Sequence, residues 1–153
     1  MSLEALFSDS NRKLDPAALT SGVSAVATTK GLGTLGVRQF WAADCREAPD
    51  RALDALCQHL RDRRIERVYF SNDVDGTDSA WASATGTPEP GGLTPDFVVE
   101  LVTRLGREFG LVAGDLMEVA PPLQDTPMAR AETLALSVRY VRATLSAMID
   151  TSI

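Results

Sequence analysis

Residues 68–78 read Val68-Tyr69-Phe70-Ser71-Asn72-Asp73-Val74-Asp75-Gly76-Thr77-Asp78. The stretch opens apolar, aromatic and β-branched, the composition of a buried strand. It closes on two aspartates and a glycine, which turn a strand end into a loop. Asp73 and Asp75 are two apart, so a strand carries them on one face. Carboxylates held that close repel each other unless a proton or a cation sits between them. A hard divalent metal is the natural counter-charge, because carboxylate oxygens suit such ions. Taken alone, the same residues could simply turn the chain.

Downstream, residues 76–95 form a long loop rich in Gly, Thr, Ser and Pro. A loop of that length inside a compact domain is usually functional or disordered. Thr94-Pro95 then starts a helix, a hydroxyl cap followed by proline at the first helical position. Phe97, Val98, Leu101, Val102, Leu105 and Phe109 form its apolar stripe, and Gly110 stops it. Leu111 to Met117 reads as a further strand ending at Glu118, and Pro121-Pro122 breaks the chain. A last helix is expected from Pro127 to Met148, with Leu134, Val138, Val141, Leu145 and Met148 on one apolar face.

Upstream, Asp50 caps a helix whose Leu53, Leu56, Cys57 and Leu60 share a face. His59, the single histidine, falls off that stripe and reads as a surface residue. Thr34–Arg38 reads as a short strand, Pro16 to Thr28 as a helix capped by Asp15, and residues 1–14 as a loose arm. Helices and strands therefore alternate from residue 15 onward. Such alternation implies parallel strands joined by right-handed crossovers, an α/β fold with a three-layer αβα arrangement. We expect one domain over 1–153.

In open parallel sheets, ligands bind beyond the carboxyl ends of the strands. Asp73 and Asp75 end one strand and Glu118 the next, so these acids should meet at one rim of the sheet. The balance elsewhere narrows the options. The net charge is -6, and no basic run interleaved with aromatics appears, which argues against nucleic acid. Cys45 and Cys57 lack metal-type spacing and read as reduced thiols of a cytoplasmic protein. The opening residues show no signal-peptide pattern. No apolar run approaches the ~20 residues a membrane helix needs.

Three ordered segments carry a resemblance. Ser71 to Asp78 fits an S-x-D-x-D-G-x-D stretch. Thr85-Gly86-Thr87-Pro88, closed by Gly91-Gly92-Leu93, fits a T-G-T-P segment ending in G-G-L. Asp115-Leu116-Met117-Glu118-Val119-Ala120-Pro121 fits D-x-x-E-x-x-P. Together they resemble the ureohydrolases, the arginase, agmatinase and formiminoglutamase family, over its C-terminal part. The resemblance implies a binuclear manganese hydrolase that cleaves a C–N bond of a small cationic guanidino or amidino substrate. Asp73 would bridge two manganese ions, Asp75 would bind one, and Asp78 would stand behind them. Glu118 would pair with the substrate's planar cation, and Thr87 would shape the pocket wall. The metal pair would lower the pKa of a water that attacks the guanidino carbon. The family commonly forms trimers or hexamers, so a homo-oligomer is expected.

Departures accompany the match. The family's G-G-D-H and D-A-H-x-D segments, which supply histidines and further aspartates, have no counterpart here. Asn72 stands where the family has an aromatic or aliphatic residue, and Thr77-Asp78-Ser79 where it has Leu-Asp-Pro. Hence the isolated chain is expected to be inactive and to hold metal weakly. Two alternatives stay open. The first is a non-catalytic relic or interaction module of the same fold. The second is a phosphatase of the haloacid dehalogenase type, with Asp73 as nucleophile and Asp75 as general acid. That chemistry needs a downstream lysine, and Lys13 and Lys30 are the only lysines.

Overall fold

The computed structural model describes residues 38–150. The arm at 1–14, the expected helix at Pro16–Thr28 and all but Arg38 of the expected first strand lie outside the described residues. Arg38 itself is not in a strand.

Two helices, α1 (Ala42–Glu47) and α2 (Pro49–Asp62), precede strand β1 (Val68–Asp73) and a 3-10 turn (Val74–Gly76). Helix α3 (Pro95–Phe109), strand β2 (Leu111–Met117), a second 3-10 turn (Pro121–Leu123) and helix α4 (Pro127–Ile149) follow. The strands pair in parallel, with Tyr69 opposite Ala113, Ser71 opposite Asp115 and Asp73 opposite Met117. A parallel pair needs a crossover, and α3 supplies it. The molecule is thus an α/β fold, a parallel sheet flanked by helices in keeping with αβα layering. Among the described residues the sheet has two strands.

Helix α3 follows its sequence closely. The Thr94 side chain accepts a hydrogen bond from the Phe97 N–H at 3.2 Å, and Gly110 ends the helix at φ 68°. Its apolar stripe is buried in full. Helix α2 buries Leu53, Leu56, Cys57 and Leu60 as expected, but Asp50 is not its cap. The helix begins at Pro49, whose fixed φ suits the first helical position, so Ala48 becomes the cap without a side-chain bond. Asp50 lies in the first turn, where a negative charge faces the helix dipole favourably. His59 is half-buried and so not the surface residue expected. Its Nε2 is buried without a partner among the described residues, and burial pushes its pKa down.

Helix α4 reverses the expected orientation. Leu134, Val138, Val141 and Leu145 are exposed, at 45%, 59%, 44% and 53% of their area, and only Met148 of that stripe packs against the core. Thr133, Leu136, Ser137, Tyr140 and Ala147 are buried instead. Close approach explains the reversal. A Cβ on Gly106 would lie 2.5 Å from the Ala147 carbonyl oxygen, and one on Gly114 would lie 2.8 Å from the Thr144 methyl. Helix α4 therefore meets α3 and β2 through small side chains, and its larger aliphatic face is left outward.

Candidate functional site

Parallel pairing brings both strands to the same rim, with Asp73 opposite Met117 and Glu118 one residue beyond. After Asp73, the 3-10 turn carries Asp75 forward while Val74, at 0% exposure, anchors it in the core. The Thr87 hydroxyl donates to Asp75 Oδ2. One residue earlier, Gly86 lies against the Glu118 carboxylate, where a Cβ would stand 3.6 Å from Oε2. The segment 85–87 thus connects Asp75 to Glu118 across the rim. Of the residues expected at the site, Asp75, Thr87 and Glu118 are brought together, and Asp73 ends β1 beside them.

Glu118 has φ 64°, in the left-handed region that a side chain bearing Cβ seldom occupies. Backbone outliers of this kind collect at functional sites. Two hydrogen bonds secure the segment it faces. Ala120 N–H donates to the Ala84 carbonyl at 2.8 Å, and Ala84 N–H donates to Thr133 Oγ1 at 3.1 Å.

Asp78 shapes the loop. Its two carboxylate oxygens accept from the Ala80 N–H at 2.9 Å and the Gly91 N–H at 2.7 Å. The returning segment closes on the turn as Leu93 N–H donates to the Gly76 carbonyl at 2.8 Å and Asp78 N–H to the Leu93 carbonyl at 3.0 Å. Gly91 has φ 86°, and a Cβ on Gly92 would come within 2.5 Å of the Asp78 nitrogen, so the glycine pair serves the backbone. The long loop is accordingly knitted into the fold.

Several residues at or behind the rim escaped the sequence reading. The Tyr140 and Thr77 hydroxyls are hydrogen-bonded at 2.8 Å in the core, where burial pushes the Tyr140 phenol up to about 12. Asp115 accepts from Ser71 Oγ at 2.8 Å and from the Tyr69 hydroxyl. The register of the D-x-x-E segment against the S-x-D segment would have pointed to Asp115. No periodicity signals Tyr140 or Thr133. The Thr85 hydroxyl and the Asn72 amide nitrogen are buried without a partner among the described residues.

Asp73 and Asp75 are hard oxygen donors, but two carboxylates are a fraction of a coordination shell. Among the described residues, no group of three or more His, Cys, Asp or Glu is placed to hold a metal ion. A manganese pair therefore does not fit these residues by themselves. No helix among the described residues is long and apolar enough to cross a membrane.

The layered α/β fold and the sequence together match a known class of protein. The chain belongs to the arginase family, whose family model matches residues 14–145. It is 35% identical over 107 residues to an agmatinase of Escherichia coli, covering 68% of this chain and 35% of the relative. Its fold matches the agmatine ureohydrolase of Thermoplasma volcanium at 27% identity and TM-score 0.60, over 81% of this chain and 38% of that one. The proclavaminate amidino hydrolase of Streptomyces clavuligerus matches at 27% identity and TM-score 0.63, over 82% and 40%. The chain thus spans about a third of the length of the curated relatives it matches, 35% in the Escherichia coli case.

Proposed function

We propose that this chain is the C-terminal portion of a manganese-dependent ureohydrolase, with residues 15–153 belonging to a partial arginase-like domain. The reaction is hydrolysis of a C–N bond in a small guanidino or amidino substrate, as in the agmatinases it resembles. The observation that carries this reading is the link from Asp75 through Thr87 and Gly86 to Glu118 at one rim. The reading is supported by the nearness of two carboxylates, one of a kind suited to a planar cationic fork and the other of a kind suited to a hard metal ion. Asp73 and Asp75 hold manganese in this reading, Asp78 orders the loop behind them, and Glu118 receives the substrate. The remaining ligands come from outside residues 38–150, and the assembled enzyme is a cytoplasmic homo-oligomer.

Two experiments test the proposal. The first joins this chain to the upstream part of the Escherichia coli agmatinase that it does not align with, adds manganese, and follows urea release from agmatine and arginine. Activity that disappears in Asp75→Asn and in Glu118→Gln supports the reading. A folded, manganese-loaded chimera that hydrolyses no guanidino or amidino compound overturns it. The second titrates manganese into the isolated chain by electron paramagnetic resonance. Weak binding that Asp75→Asn abolishes is expected, because two carboxylates form only part of a site.

A second reading, a non-catalytic interaction module of the same fold, is favoured by the outward aliphatic face of α4. Size-exclusion chromatography with metal analysis separates the two, since a chain that takes up no added manganese favours the module and one that does favours the ureohydrolase. Family membership removes the support for the phosphatase alternative.

A further inference from the structure

Thr77 and Tyr140 form a hydrogen-bonded pair of hydroxyls inside the core. Thr77 is 1% exposed and Tyr140 is 2% exposed, and their oxygens are 2.8 Å apart. Thr77 directly follows the turn that carries Asp75, and its N–H donates to the Val74 carbonyl at 3.0 Å. Thr77 also stands in register with Leu93, where the 76–93 loop closes on itself. Earlier on the same buried face of α4, Thr133 receives the Ala84 N–H, which fixes the other end of the Thr87 segment. Both backbone segments that contribute to the Asp75–Thr87 contact are therefore tied to one helix, each by a buried hydroxyl.

We propose that Tyr140 is a positioning residue. Its hydroxyl, bonded to Thr77, sets the turn at 74–77 so that the Asp75 carboxylate meets the Thr87 hydroxyl. The importance of that contact for function rests on the site proposed above, while the geometry does not. A buried hydrogen bond lost on one side leaves its partner unsatisfied, so the effect should reach the turn itself.

The test uses the full chain without metal, in Tyr140→Phe, Thr77→Val and Thr77→Ser. Nuclear magnetic resonance reads the Asp75 carboxyl carbon shift and the Thr87 hydroxyl-proton exchange at pH 7. Amide exchange reads Asp78 and Leu93, with the α3 amides as reference. Tyr140→Phe and Thr77→Val should move the Asp75 signal, and should speed exchange at Asp78 and Leu93 about tenfold relative to α3. Thr77→Ser, which keeps the hydroxyl, should restore both. A pair that merely stabilises the core would speed α3 and the loop together and leave the Asp75 signal in place. That result, or a Thr77→Ser variant that behaves as Thr77→Val, overturns the proposal. Because no metal is added, failure of the manganese titration and failure here are read separately.

Discussion

Helix α3 buries Phe97, Val98, Leu101, Val102 and Leu105, whereas α4 leaves Leu134, Val138, Val141 and Leu145 exposed and buries Thr133, Ser137 and Tyr140. Both sequences carry aliphatic residues at helical spacing, so periodicity treats the two alike. Contact separates them. Helix α3 fills the core with volume, while α4 must come within reach of Gly106, Gly114 and the rim loops. Small and hydroxylated side chains allow that approach. The pair teaches that an inward face is chosen by what it must touch as well as by its hydrophobicity.

The sharpest way to break the comparison is truncation on both helices. Leu101→Ala should lower unfolding free energy by about 2–5 kcal/mol, and Leu145→Ala by less than about 0.5 kcal/mol, in urea melts of the same chain. Equal losses would mean that the outward face of α4 is covered. Next comes pH. Burial raises Tyr140 on α4 from 10 to about 12 and Cys45 on α1 from 9 to about 11. Each contributes stability that is full below its unfolded pKa and lost as pH rises through its folded pKa. Stability should therefore fall between about pH 9 and 12, by about 2–3 kcal/mol per group at two pKa units each. Tyr140→Phe should flatten the upper part of that decline, and an unchanged profile would contradict the buried phenol.

Gly106→Ala probes the crossing of the two helices. The added Cβ would lie 2.7 Å from that of Ala147, so a loss of about 1–3 kcal/mol is expected by thermal unfolding. Smallest of all, Val138→Ser should shift stability by no more than about 0.5 kcal/mol. Its visible effect should be on self-association, measured by light scattering.

Much of this arrangement was readable beforehand. Val68–Gly76 announced a strand ending in acids, Thr94-Pro95 and Gly110 bracketed α3, and the parallel order followed from alternation. These features are local, set by caps, turns and period. The start of α2 was misplaced by two residues, with the cap at Ala48 and not at Asp50, because Asp50 and Pro49 both signal a helix start and the ring constraint of proline prevailed. The orientation of α4 was not readable, because it depends on two glycines distant in sequence. The rim was legible as a list of acids, but Thr133, Tyr140 and Asp115 act through contacts 44–63 residues apart. Spacing along the chain carries no trace of such pairs.

The left-handed backbone at Glu118 has an evolutionary corollary. Glycine there would relax the chain by roughly 1 kcal/mol, and asparagine would also be tolerated. Either replacement would strip the rim of its carboxylate. A laboratory selection for heat resistance alone should drift toward Glu118→Gly or Glu118→Asn, firming the scaffold while disarming it. On the function proposed above, retention of glutamate at that position would measure how strongly a population still requires the rim to work.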